Sequence, residues 1–219
     1  GGNSKRVNSV NVFGPSTLPL GEKIQFCEAV HNRLGLPVLF RLSEPFTSPE
    51  LRQVLAEKGY EPFDPTLVLG KEIDARVAVP DGVVVRTFSD EDWLQIYAQV
   101  TGNALTSLVN HKAVLKGIVP EKNLIAVYLG DRPVACGMGV LVGDLLGYFS
   151  IYTDKLVRRQ GLGQAVMRAL SQWGFERGAT FGYLQVEGDN APARSMYQKL
   201  GFVRLYGYEY WKKIENANM

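Results

Sequence analysis

Cysteine, histidine, net charge and long apolar runs are all scarce in this 219-residue chain. Two cysteines, Cys27 and Cys136, cannot form a disulfide framework, and alone they cannot form a zinc site. They read as small buried hydrophobes in a reducing, cytoplasmic setting. The balance of 24 basic against 22 acidic side chains leaves a formal charge of +2. That excludes the basic stripe of a nucleic-acid reader or a protein bound to anionic lipid. The densest basic spots, Arg158-Arg159 and Lys212-Lys213, are only pairs. The nearly uncharged stretch 133–143 is too short to span a bilayer and is interrupted by glycines. The polar stretch 1–11 predicts no secretory signal.

An ordinary globular composition remains, with 46% apolar and 21% charged residues. Disorder is excluded for most of the chain. The length allows one large domain or two small ones.

Hydrophobic period and turn chemistry divide the second part of the chain into a regular series. Val83 to Phe88 reads as a β-branched strand. Ser89 then caps a helix with three acids in its first turn, running to about Thr101. A second helical piece covers 104–116. Three strands follow, 123–129, 133–142 and 145–153, joined by turns at Gly130-Asp131 and Gly143-Asp144. The period then changes to helical over 162–177. A strand at 181–187, a helix at 190–200 closed by Gly201-Phe202, and a strand at 203–214 complete the series.

Residues 1–74 read as a worn copy of 145–214. Strands at 7–13, 37–42 and 65–73 alternate with helices at 21–34 and 48–58. The run from Leu51 to Tyr60 matches that from Ala193 to Phe202, so Arg52 falls on Arg194, Gly59 on Gly201 and Leu55 on Tyr197. The polar stretch ending in Pro80-Asp81-Gly82 predicts a linker over 75–82.

The chemistry concentrates in Ile151-Tyr152-Thr153 and in Arg158-Arg159-Gln160-Gly161-Leu162-Gly163-Gln164, where a strand leads into a helix. Two glycines around one residue let several backbone N–H groups point at one spot. A helix N-terminus and two arginines add positive potential. Such a cradle suits a pyrophosphate. The dinucleotide pattern is missing, because residue 166 is valine, and no Gly-Lys-Ser/Thr marks a P-loop. Taken alone, the two glycines equally suit a helix start that needs them for packing.

In context, Arg158-x-x-Gly161-x-Gly163 follows a strand meander and precedes a strand, Asn190, Tyr197 and Gly201-Phe202. This series resembles the GCN5-related N-acetyltransferase (GNAT) superfamily over 83–214, most strongly over 145–202. The resemblance implies an α/β fold with a mixed, mostly antiparallel sheet flanked by helices. A catalytic domain at 83–219 would follow a degenerate half-domain at 1–74. It further implies acetyl-CoA as cosubstrate and no metal. The backbone of Ile151 and Thr153 would pair with the pantetheine arm, the amides of 159–164 would hold the pyrophosphate, and Asn190 would bond near the pantetheine or act as a plain N-cap.

Tyr197 falls where the superfamily often places its general acid, which protonates the departing thiolate. Its alternative is an aromatic packing residue. Glu187 is the first candidate for the general base, followed by Asp154 and His111, with a water chain as the rival. The aromatics Tyr206, Tyr208, Tyr210 and Trp211 line either an acceptor pocket or one core-facing sheet surface. The expected reaction is direct acetyl transfer to a primary amine, on a small molecule or a peptide. The competing reading is a non-catalytic acyl-CoA sensor. A homodimer is compatible with either.

Overall fold

A computed structural model describes residues 4–14, 17–74 and 82–214. The linker expected at 75–82 lies outside the described residues except for Gly82, as do Pro15 and Ser16. Contacts divide the chain into two compact units. One takes in the chain to Val68, with 186–190 and the stretch from Arg204. The other holds Leu69–Gln185 and Ala191–Val203.

In the larger unit, β4 (Val84–Thr87), β5 (Lys122–Leu129), β6 (Arg132–Val142) and β7 (Leu145–Thr153) form an antiparallel meander. β8 (Phe181–Glu187) then pairs parallel to β7. The return crossing is made by α5 (Leu162–Phe175). Strand alternation assigns the two faces of this sheet. A Cβ on Gly137 would come within 2.6 Å of both Ile151 Cδ1 and Val166 Cγ1, and one on Gly139 within 3.2 Å of Leu170. The odd-numbered β6 positions therefore face α5 and must be small for it to settle there. Ala165, Val166, Met167 and Leu170 of α5 are fully buried.

The opposite face is covered by α3 (Asp90–Thr101) and α4 (Val109–Gly117). Its core joins Trp93, Leu94, Ala98 and Leu115 to Leu124, Ala126, Cys136 and Met138. The Trp93 ring is sealed from solvent, and its Nε1 donates to the Ile125 carbonyl at 3.1 Å. The start of α3 follows from its sequence: Ser89 Oγ accepts from the Asp92 amide, and three acids occupy the first turn. The helix expected over 104–116 opens as a 3₁₀ turn at Leu105–Leu108 and becomes α-helical at Val109.

The smaller unit contains β1 (Val10–Asn11), α1 (Leu20–Arg33), β2 (Leu39–Ser43), α2 (Pro49–Glu57) and the start of β3 (Tyr60–Glu72). It also holds nearly all of β9 (Val203–Lys213). β1 is parallel to β2, and β2 is antiparallel to β9. Ile24, Phe40, Leu42, Leu51, Leu55, Tyr60 and Trp211 form one core, and Val68, Tyr208 and Tyr210 form another. Two expectations shift here. The strand expected at 7–13 keeps only two residues. The one expected at 65–73 begins at Tyr60, with a left-handed Asp64 (φ 53°) interrupting it between Pro62 and Pro65.

Candidate active site

The site begins with an irregularity in β7. Cys136 pairs with Tyr152 and Met138 with Phe149, so three steps on β7 oppose two on β6. The extra residue is a bulge around Ser150, which holds a φ of 51°. On the other side of β7, the parallel ladder with β8 runs from Leu145↔Phe181 to Tyr148↔Leu184 and stops. The backbone of 149–153 thus continues as a strand without a ladder partner on that edge, among the described residues. Such an edge can accept an extended, amide-bearing chain.

The strand feeds a tight loop. Asp154 accepts from the Leu156 amide at 2.9 Å, capping a 3₁₀ turn at Lys155–Val157, and pairs with Arg132. This carboxylate, one of the candidate bases, is committed to local structure. Arg158 folds back, with Nε 3.3 Å from the Thr153 carbonyl and its guanidinium 5.6 Å from the Tyr152 ring centre. Arg159 and Gly161 are both left-handed, at φ 69° and 78°. Gly161 caps α5 without a side chain, so the first amides of that helix have no internal partner.

The two glycines differ in role. A Cβ on Gly161 would meet nothing within 4 Å, so its left-handed φ is what requires glycine. A Cβ on Gly163 would lie 2.9 Å from Met196 Sδ and 3.2 Å from Thr153 Oγ1. Gly163 therefore lets α5 approach β7 and α6 (Ala191–Lys199). Leu162 and Gly163 are buried, whereas Gln160 and Gly161 are exposed and Gln164 is half-buried.

Tyr197 is held by the end of α6. The Phe202 amide donates to the Tyr197 carbonyl and the Gly201 amide to Gln198, both at 3.0 Å, with Gly201 left-handed. This is a Schellman ending, and its apolar contact is the Phe202 ring against the Tyr197 ring, 6.0 Å between centres. Phe202 in turn meets Tyr148, whose hydroxyl lies 2.7 Å from Ser171 of α5. Burial pushes the Tyr197 phenol up to about 12, and no hydrogen bond to it is found among the described residues. It is protonated at neutral pH and able to donate. Cys136 is sealed in the core, with its thiol also raised to about 12 by burial, so it offers no thiolate.

Other expected residues lie in the smaller unit. Glu187 is exposed at the end of β8. Asn190 directly precedes α6, and its amide donates to the Glu187 carbonyl at 3.1 Å. Tyr208, Tyr210 and Trp211 are buried in that unit's own cores, which is the core-facing alternative for the terminal aromatics. One cluster is not anticipated from the sequence. Trp93 stacks on Tyr97, and Tyr97 on His111, with ring centres 5.1 and 4.8 Å apart. The four-residue spacing of Trp93 and Tyr97 on α3 is the only sequence signal for it.

The site is thus an α/β unit with a bulged strand, a parallel ladder that stops at Tyr148 and an amide-rich loop at a helix start. The profile of the acetyltransferase (GNAT) family matches residues 91–202, just over half of the chain. The chain belongs to this family. It is 27% identical over 215 residues to YobR, an uncharacterised N-acetyltransferase of Bacillus subtilis (strain 168), covering 95% of this chain and 85% of that one. A GCN5-related N-acetyltransferase from Kribbella flavida superposes with a TM-score of 0.67 at 19% identity, covering 93% and 77% of the two chains. One from Sphaerobacter thermophilus gives 0.69 at 17% identity, covering 89% and 67%. At these identities the structural matches speak for the fold alone.

Proposed function

We propose that the chain transfers the acetyl group of acetyl-CoA to a primary amine by direct attack. The observation that carries this is the unpartnered edge of 149–153 running into the amide-bearing loop of 159–164. On this reading the carbonyls and amides of Ile151 and Thr153 bind the pantetheine arm as an added strand, beside Tyr152. The amides of Arg159, Gln160, Gly161, Leu162, Gly163 and Gln164 bind the pyrophosphate, with Arg158 and Arg159 supplying positive charge. Tyr197 protonates the sulfur as it leaves. The inert Cys136 thiol favours direct attack over an acyl-cysteine intermediate.

Calorimetric titration of acetyl-CoA into Gly161→Val tests the cradle. The new Cβ meets nothing within 4 Å, so the main cost to folding is the left-handed φ, about 1–2 kcal/mol. Affinity should fall at least roughly tenfold, about 1.4 kcal/mol. Unchanged affinity in a folded variant removes the assignment. Steady-state release of CoA with a panel of amines separates an enzyme from a sensor, because a sensor binds acetyl-CoA and releases none.

A further inference from the structure

The chain has two histidines, and their surroundings differ. His31 is held on both sides: Nδ1 lies 3.0 Å from the Cys27 carbonyl and Nε2 3.3 Å from that of Asn8. His111, on the first turn of α4, has a ring contact and no hydrogen bond among the described residues. Its ring lies flat on Tyr97, which is itself stacked on the fully buried Trp93. The imidazole is therefore oriented by packing while both nitrogens stay available.

The face on which this stack sits bears on the chemistry. Sheet alternation places Cys136, Met138, Phe149 and Tyr152 on the α3–α4 side, and these residues pack with Tyr97 in one cluster. Tyr97, Phe149 and Tyr152 all pack against the core formed by Trp93, Cys136 and Met138. The stack thus reaches the bulged segment of β7. The residues packed in this cluster are apolar, and the Arg158 guanidinium lies 5.6 Å from the Tyr152 ring centre at its β7 end. The acids in the first turn of α3 are already engaged: Asp90 with Lys122 at 2.9 Å, Glu91 with Lys112 at 3.8 Å, and Asp92 with Ser89 Oγ at 2.7 Å.

We propose that the Tyr97–His111 stack is the acceptor wall: it takes a monoamine carried on an apolar body, and His111 accepts the proton shed by the attacking nitrogen. This deepens the acetyl-transfer reading and rests on it. The amine lone pair forms a bond to the acetyl carbon. The carbon–sulfur bond breaks with its electron pair on sulfur. The proton on nitrogen passes to the His111 imidazole, and the Tyr197 phenol gives its proton to sulfur. Exchange with water then restores both side chains, leaving an N-acetyl amine and a free thiol.

Two considerations favour His111 over the carboxylates. Burial alone lowers its pKa, so it is neutral and ready to accept at neutral pH. Tyr97 of α3 lies against it; beyond that ring the same cluster holds Tyr152, with Arg158 over it, and Cys136, and its neighbour Lys112 pairs with Glu91. A base is most effective when its proton affinity lies near the working pH, which suits imidazole. Asp154 is tied to Arg132 and its own turn, and Glu187 is exposed. The apolar wall, with a guanidinium at its β7 end, would hold an aromatic or aliphatic monoamine, whereas a polyamine would bring further positive charge without counterions.

The experiment compares CoA release by the full chain with phenethylamine and with spermidine. It uses the wild type, His111→Ala and His111→Gln, with acetyl-CoA affinity measured in parallel. The wild type should favour phenethylamine. Both variants should bind acetyl-CoA normally and lose on the order of 100-fold or more in turnover. Added imidazole should restore His111→Ala, increasingly as pH raises its neutral fraction, which a purely structural loss would not show. Undiminished turnover in either variant, loss without imidazole rescue, or preference for spermidine overturns the proposal while leaving acetyl transfer standing. A wild type that binds acetyl-CoA and acetylates no amine overturns the catalytic reading itself, and this one with it.

Discussion

A phenol protonates a departing thiolate only if it is still protonated and its ring cannot swing away. Tyr197 meets the first condition because burial raises it to about 12. It meets the second through Phe202, which the helix ending locks against it. Removing the hydroxyl keeps the ring and its packing. Tyr197→Phe should therefore bind acetyl-CoA as the wild type does and lose roughly 100- to 10,000-fold in kcat. Full kcat would make Tyr197 a packing residue. Both readings of this tyrosine were available in the sequence, and its buried ring with an unbonded hydroxyl is compatible with a role in each.

At the scale of elements, α5 shows what the sequence could and could not convey. Its apolar period, and the glycine pair before it, predicted a helix over 162–177, and the helix spans Leu162–Phe175. The spacing could not say which glycine packs and which turns the chain, because that depends on what a Cβ would touch. Gly163 faces Met196 and Thr153, so Gly163→Val should overpack the junction of α5, α6 and β7. The expected loss is about 1–3 kcal/mol, read as a lowered urea midpoint at constant m-value. An unchanged midpoint would show that Met196 simply moves aside. The β7 bulge was illegible for a different reason. Ser150 carries no glycine or proline signal, and only the register against β6 reveals the extra residue. β1 was overestimated because Val10 and Val12 supply strand-like alternation and Val7 adds a β-branched residue before them, yet only Val10 and Asn11 find ladder partners.

At the scale of the molecule, the order β1-α1-β2-α2-β3 repeats as β7-α5-β8-α6-β9, and each series opens with a parallel pair. We infer that the first series is a worn copy whose role is structural. Among the described residues, its loop offers no second cradle. α1 starts at a Pro19 cap, and proline has no N–H to offer. Where the late copy has a tyrosine, Leu55 is wholly buried and has no proton to give. The late copy has Gly161 and Arg159 left-handed before an uncapped helix. If several amides and a nearby positive charge are needed to hold a pyrophosphate, only the late copy qualifies. Native mass spectrometry of the full chain with excess acetyl-CoA should therefore count one bound ligand. Gly161→Val should reduce that count towards zero. Two tightly bound molecules per chain, or one that survives Gly161→Val unchanged, would place a working cradle in the early copy and end the case for its degeneracy.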